Sequence, residues 1–231
     1  MCVIYVDDTI FKGPNQAQID KEIKVLGIKQ PNEESPFEFR DERELSAFLG
    51  IRIEKTKDGK FNLTQPGLIE KVLAASGTVD SNSNLTPSAL EPLGPDEYGE
   101  SMNESWEYAS IIGMLMYLAN STRPDIAHAV HVCARYTHNP RKSHATAVKH
   151  ILRYIKGTML DGIILNPNNT HELNCFVDND FAGQYNQFND KDPTSTKSRT
   201  GYVIFYQGCP ALWVSKMQIQ CALSMGVAVN Q

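Results

Sequence analysis

The sequence has few cysteines, no long apolar run and no excess of basic residues. Its cysteines are scattered and form no Cys-x-x-Cys pair, which argues against a zinc site or a disulfide framework. They are Cys2, Cys133, Cys175, Cys209 and Cys221. The longest apolar run, residues 111–119, is too short for a membrane-spanning helix, which needs about 20 residues. The first residues also lack the basic and apolar regions of a signal peptide. We therefore expect an intracellular protein, cytoplasmic or nuclear, with no membrane partner.

The net charge of −5 argues against nucleic-acid binding, but the charges are unevenly distributed. Residues 126–160 contain no Asp or Glu and six basic residues: Arg135, Arg141, Lys142, Lys149, Arg153 and Lys156. Residues 80–107 contain seven acidic residues and no Lys or Arg. Because phosphate contacts are local, a basic face on an acidic protein can bind a polyanion. From the residues alone, an ordinary solvated helix face is the more common explanation.

The apolar periodicity predicts an α+β chain, with 231 residues allowing one large domain or two small ones. In the first part we expect strands over 3–6 and 9–12, a helix over 16–26, a short strand at 37–39, strands over 48–54 and 60–63, and a helix over 66–76. The polar segment 78–104 is predicted to be a long surface connection and an internal boundary. Helices over 106–119, 124–137 and 143–156 should follow, then strands over 162–165, 173–177, 201–206 and 211–214, with a polar loop over 186–199.

The tetrapeptide Tyr5-Val6-Asp7-Asp8 carries the clearest chemical signal. Two adjacent carboxylates at a hairpin turn repel each other unless a cation lies between them. Magnesium prefers such hard oxygen ligands, and a pair of magnesium ions can activate a hydroxyl and stabilise a leaving phosphate. For an isolated Asp-Asp, an ordinary exposed acidic turn is the far more common explanation, because turns are rich in Asp.

The tetrapeptide between two apolar strands resembles the hairpin of reverse transcriptases. Segments 48–53, 63–66, 85–87 and 108–119 resemble the blocks that follow this hairpin in copia-type retrotransposons, as do Thr-Arg-Pro-Asp-Ile-Ala at 122–127 and segment 151–158. Segments 175–183, 198–203 and 213–216 resemble the RNase H domain of the same elements. The chain therefore resembles a copia-type retrotransposon Pol polyprotein, over the C-terminal part of its reverse transcriptase and a truncated RNase H segment.

This resemblance implies an RNA-directed DNA polymerase, a nucleotidyltransferase that uses Mg²⁺. Asp7 and Asp8 would be two of the three palm carboxylates that hold magnesium, and Tyr5 and Val6 would lie near the primer terminus. The implied domains are the C-terminal part of the palm (1–65), a helical thumb and connection (66–160), and a truncated RNase H-like segment with an incomplete mixed sheet (161–231).

The resemblance also assigns nucleic-acid contacts. The helices would follow the phosphates of a template–primer duplex or RNA–DNA hybrid largely without reading sequence. The six basic residues of 126–160 become candidate duplex contacts, whereas His144 and His150 are expected to be mainly structural or exposed. In the RNase H segment, Asp178, with Asp180 second, would be presented to a two-metal site that cleaves RNA.

Two departures from the family lead us to expect an incomplete catalyst. A reverse transcriptase needs a third carboxylate on an upstream palm strand, and this sequence starts four residues before Tyr5. A partner carrying the N-terminal half of the polymerase would have to supply it. Val227 and Val229 stand where the family has carboxylates that complete the RNase H site, and an alkyl side chain cannot bind magnesium.

Three alternatives remain open from the sequence. The chain could be a non-catalytic remnant that still binds nucleic acid, or the product of a decayed element without function. Without the family, it could be a metal-dependent phosphohydrolase that uses Asp7, Asp8, Asp178 and Asp180, which requires the two Asp pairs to meet in space.

Overall fold

A computed structural model describes residues 2–5, 8–26, 45–180, 182, 185 and 194–221. The chain divides into two compact units, Met1–Leu49 and Gly50–Gln231. The described residues form five α-helices and antiparallel β-sheets, so the predicted α+β class is confirmed. No helix among them is both long enough and apolar enough to cross a membrane.

The first unit contains the predicted hairpin and helix. Strands β1 (Cys2–Tyr5) and β2 (Asp8–Phe11) pair antiparallel, with Tyr5 opposite Asp8. Helix α1 (Gln16–Leu26) begins after Asn15, whose side-chain oxygen accepts the Gln18 N–H at 2.9 Å. A two-residue strand, β3 (Ala47–Phe48), follows. The strand predicted at 37–39 lies outside the described residues.

In the second unit, β4 (Ile51–Lys55), β5 (Phe61–Thr64) and β6 (Ile163–Leu165) form an antiparallel sheet with β5 in the centre. The predicted strand over 48–54 is interrupted, because Leu49 and Gly50 adopt positive φ angles of 53° and 72°. The Asp58-Gly59 turn joins β4 to β5 as predicted, with Gly59 at a φ of 84°. In this turn, hydrogen bonds from Lys60 and then Thr56 lower the pKa of Asp58 to about 2.

Four helices build the core of the second unit: α2 (Pro66–Ala75), α3 (Tyr108–Ser121), α4 (Ala127–Ala134) and α5 (Lys142–Gly157). Their apolar faces meet in one cluster of fully buried side chains that includes Ile69, Leu115, Val130 and Leu152. The helix predicted over 124–137 is shorter than expected. A 3₁₀ turn (Pro124–Ile126) opens it, and beyond Ala134 the backbone N–H groups bond three residues back.

The end of the chain forms a three-stranded antiparallel meander of β7 (Leu173–Asn179), β8 (Arg199–Tyr206) and β9 (Cys209–Met217). The β8–β9 turn uses Gln207 and Gly208, both at positive φ. This sheet lies against the helices, and the indole N–H of Trp213 donates to the Ala119 carbonyl at 2.7 Å. The four strands predicted after residue 160 are confirmed. In the structure, β7, β8 and β9 are longer than predicted, whereas β6 is one residue shorter.

Candidate nucleic-acid interface

The opening hairpin has the strand pairing that the sequence predicts, but its acidic side chains are not described. Tyr5 is 57% exposed and faces Asp8 across the ladder. Val6 and Asp7 lie outside the described residues, and of Asp8 only the backbone is described. The roles of Tyr5, Val6, Asp7 and Asp8 at a magnesium site therefore stay predictions.

The two aspartates of the last sheet lie at the end of β7. Asp178 is exposed and pairs in register with Gly201. Asp180 follows the strand, and its Oδ1 accepts the backbone N–H of Arg199. One carboxylate oxygen of Asp180 is thus already used to hold the start of β8. Among the described residues, no three acidic, histidine or cysteine side chains are close enough to hold a metal ion together.

Helix α5 carries most of the predicted basic contacts on one side. At about 100° per residue, Lys142, Lys149, Arg153 and Lys156 project within a sector of about 60°. They extend over about 21 Å of helix at 1.5 Å per residue. The opposite side of α5 is buried in the core through Val148, Ile151, Leu152 and Ile155, which fixes the direction of the charged side. We call these four residues the basic stripe.

The acidic segment 80–107, here called the acidic strap, lies along α5. Near the C-terminal end of the helix, Lys156 Nζ donates to the Ser81 carbonyl at 2.6 Å, and the Asn84 amide donates to the His150 carbonyl at 3.2 Å. Near its N-terminal end, the Lys142 backbone N–H donates to the Glu100 carbonyl at 3.0 Å. The predicted surface connection is therefore packed on α5 over the helix's whole length.

Two carboxylates of the acidic strap form ion pairs with the basic stripe. Glu100 lies 2.7 Å from Lys142 Nζ, and Glu104 lies 2.7 Å from Lys149 Nζ. The Glu100 hydrogen bond and charge raise the pKa of Lys142. In contrast, the exposed guanidinium of Arg153 has no hydrogen-bond or ion-pair partner among the described residues.

The other two predicted contacts are Arg135, which follows the last residue of α4, and Arg141, which precedes the first residue of α5. The Arg135 guanidinium donates to the Thr194 hydroxyl and lies 5.3 Å from the Tyr136 ring centre. Arg141 makes long hydrogen bonds to the Glu97 carbonyl, at 3.4 Å, and to Ser101. Both arginines border an open cavity of about 320 Å³. The structure thus brings all six basic residues to α5 and the turn before it.

His144 has a structural position. It is fully buried at the start of α5 and stacks on Tyr136, with ring centres 4.0 Å apart. Its Nδ1 accepts the Arg141 N–H at 2.9 Å, and its Nε2 lies 2.9 Å from the Gly94 carbonyl, to which it donates. Burial lowers the pKa of this imidazole. Both ring nitrogens are used, so His144 is not available to a ligand.

A buried junction holds α5 in place, and the sequence did not predict it. Arg123 is 1% exposed, and its guanidinium binds the Asp125 carboxylate at 2.7 Å and the Thr158 carbonyl at 2.9 Å. Burial alone would lower the pKa of Arg123, but the hydrogen bonds and charge of Asp125 raise it. Nearby, the Thr122 hydroxyl donates to the Gln65 side-chain oxygen at 2.8 Å. These residues lie within the segments that resemble the copia-type family. That resemblance was the only sequence feature that could have pointed to them.

Comparison with known proteins identifies the family. The retrovirus-related Pol polyprotein from transposon RE1 of Arabidopsis thaliana is 33% identical over 216 residues, which are 94% of this chain and 14% of the polyprotein. The Pol polyprotein from transposon TNT 1-94 of Nicotiana tabacum is 33% identical over 231 residues, 96% of this chain and 16% of the polyprotein. An uncharacterized mitochondrial protein of Arabidopsis thaliana is 31% identical over 218 residues, 94% of this chain and 82% of that protein. No protein-family model and no solved structure matches the chain.

The chain belongs to the family of retrovirus-related Pol polyproteins of copia-type transposons, as its motifs predicted. It spans about a seventh of the length of the Pol polyproteins that it matches.

Proposed function

We propose that this chain corresponds to the part of a reverse transcriptase that begins at the catalytic hairpin and continues into an RNase H-like segment. In this proposal, residues 1–65 belong to the palm, 66–160 form the thumb and connection, and 161–231 form the RNase H-like segment. Family membership and the element order support this division, because a hairpin, a helical body and a β-meander follow one another.

The helical part binds a template–primer duplex or RNA–DNA hybrid in this proposal. The observation that carries it is the alignment of the basic stripe on one side of α5, with the opposite side fixed in the core. A row of cations about 21 Å long can follow consecutive backbone phosphates without contacting base edges. Arg135 and Arg141 extend the positive surface beyond the N-terminus of the helix.

A binding assay with a fluorescent RNA–DNA hybrid tests this function. We expect affinity to fall steeply with salt, because each phosphate contact releases counterions. Arg153→Glu should weaken binding about tenfold near 0.1 M salt and make the salt dependence shallower by about one contact. Lys71→Glu is the control, because Lys71 is an exposed cation on a different helix, α2. Absence of binding at low salt, or equal losses for the two variants, would refute the proposal.

Magnesium chemistry enters the proposal only through the chain's own carboxylates. Asp7 and Asp8 would hold Mg²⁺ for nucleotide addition, and Asp178 with Asp180 would hold it in the RNase H-like segment. Among the described residues, no three acidic, histidine or cysteine side chains come close enough together to form a complete cage.

We also propose that this chain binds hybrids without cleaving them. Val227 and Val229 replace carboxylates of the family pattern, and alkyl groups supply no oxygen ligand. Incubation of a labelled RNA–DNA hybrid with the chain and Mg²⁺ should leave the RNA intact. Cleavage that Asp178→Asn abolishes would contradict this second part while leaving duplex binding untouched.

A further inference from the structure

The basic stripe and the acidic strap lie side by side in the free protein. Two of the four stripe cations are paired with strap carboxylates, and a third, Lys156, donates to a strap carbonyl. A duplex that binds the basic stripe must therefore contact lysines that already bind the acidic strap. This inference concerns the regulation of the interface and rests on the proposed function.

The paired carboxylates have the chemistry of a phosphate contact. Glu100 and Glu104 each present an anionic oxygen 2.7 Å from a lysine ammonium, the distance of a charge-assisted hydrogen bond. A nucleic-acid phosphate oxygen forms the same type of bond with lysine. Carboxylate and phosphate therefore compete for the same donors.

The strap backbone is held separately from these carboxylates. The Tyr136 hydroxyl donates to the Leu93 carbonyl at 3.0 Å, and buried His144 binds the Gly94 carbonyl at 2.9 Å. Neither bond involves a charged strap side chain. In the Lys142–Glu100 pair, by contrast, the lysine side chain is 66% exposed and the glutamate side chain is 75% exposed. Exposed ion pairs are weak. Glu100 can thus leave Lys142 while the middle of the strap stays in place. The Lys149–Glu104 pair is partly buried, with side chains that are 32% and 24% exposed, and Glu104 also accepts the Trp106 indole N–H at 3.2 Å.

We infer that Glu100 and Glu104 are internal phosphate surrogates that occupy Lys142 and Lys149 until a duplex displaces them. The pairs lower the affinity of the basic stripe for any polyanion, because each must break before a phosphate binds. Arg153 lies between them and the end of the helix with its guanidinium exposed. It therefore offers the first contact from which a duplex displaces the two carboxylates.

The test compares two double variants of the full 231-residue chain in the hybrid-binding assay. Glu100→Gln with Glu104→Gln removes both paired carboxylates and preserves side-chain size. Glu91→Gln with Glu107→Gln removes the same formal charge from the same strap at residues for which no ion pair is described. We expect the first variant to bind roughly threefold to tenfold tighter than wild type, because neither the exposed Lys142–Glu100 pair nor the partly buried Lys149–Glu104 pair competes any longer. The second should bind within about twofold of wild type, because its charges are screened at a distance.

The outcomes separate this inference from the proposed function. If wild type binds the hybrid but both double variants gain equally, general charge explains the gain and the surrogate role is wrong. If neither gains, the carboxylates do not compete, and the surrogate role is again wrong while duplex binding stands. If no variant, including the first, binds hybrid at low salt, the proposed function itself fails.

Discussion

The guanidinium of Arg123 donates to both oxygens of Thr158, at 2.9 Å to its carbonyl and 2.6 Å to its hydroxyl. Thr158 follows the last residue of α5, and Arg123 precedes the 3₁₀ turn that opens α4. This contact joins two segments that are 35 residues apart in sequence. It fixes the C-terminal end of the helix that carries the basic stripe.

Loss of this cation should destabilise the protein more than loss of a surface arginine. Arg123→Met removes the guanidinium that binds both the Asp125 carboxylate and the Thr158 carbonyl, and we expect a loss of about 3 kcal/mol. Arg52→Met is the control, since Arg52 and Glu54 form an ion pair with both side chains about half exposed, and should cost less than about 1 kcal/mol. Urea unfolding measures both, and similar losses would show that the junction is not a source of stability.

A methyl group at Gly162 should disturb the sheet formed by β4, β5 and β6. A Cβ there would lie 2.0 Å from the Leu63 carbonyl oxygen, so β5 and β6 would have to separate. We expect Gly162→Ala to cost about 2 kcal/mol.

Gly113→Ala provides the opposite control for this prediction. Gly113 lies within α3, and a Cβ there meets nothing within 4 Å. Alanine should stabilise the helix by about 0.5–1 kcal/mol. Thermal unfolding tests whether Gly162→Ala destabilises the protein and Gly113→Ala stabilises it. An unchanged stability of Gly162→Ala would contradict the close approach of Gly162 to the Leu63 carbonyl.

Stability should decrease as the pH falls below about 6.5, the ordinary pKa of histidine. Burial lowers the pKa of His144, and burial with the nearby Arg199 charge lowers those of His128 and His131. As the pH falls, the unfolded chain binds protons more readily than the folded chain. The contribution of these histidines to stability is therefore present above the unfolded pKa and lost below it.

Urea midpoints measured between pH 7.5 and 5.5 test this dependence. His144→Gln should reduce the slope, because it removes the one fully buried imidazole of the three. His138→Gln serves as the control, since His138 is exposed on the turn before α5. Equal slopes in wild type and His144→Gln would be incompatible with a buried neutral imidazole.

Thiol labelling should separate the buried cysteine from the exposed ones. Cys133 is 3% exposed, and burial raises the pKa of its thiol to about 12. Because the thiolate is the reactive form, Cys133 should react with iodoacetamide only after unfolding. Cys175, which is exposed on β7, should react in the folded protein. Mass spectrometry of the labelled peptides checks this order, and rapid labelling of Cys133 would indicate a loosely packed core.

The sequence predicts elements whose pattern is local. The apolar positions of α5, such as Val148, Ile151 and Ile155, repeat every three or four residues, and the helix occurs where they predict it. The Asp58-Gly59 turn is equally local, because only its own backbone needs a positive φ. The basic residues were visible as a cluster, and helical geometry then places four of them on one side.

Contacts between distant segments could not be predicted in the same way. The bond from His144 to the Gly94 carbonyl involves a backbone group, which leaves no trace in residue type. The acidic strap reads as an open connection, because Pro, Ser and Asn are frequent both in loops and in segments that pack along a helix. Arg123 was part of a recognised motif, but nothing in its neighbours indicates that an arginine is fully buried there.

The tip of the acidic strap has a practical consequence for handling the protein. Leu90 is fully exposed, whereas the chain on both sides of it is tied to α5 through Asn84 and Gly94. A protease that cuts the backbone near Leu90 should therefore yield two fragments that stay together under native conditions and separate only in denaturant. The same position suits a split version of the protein, in which two separately produced pieces reassemble around the shared core.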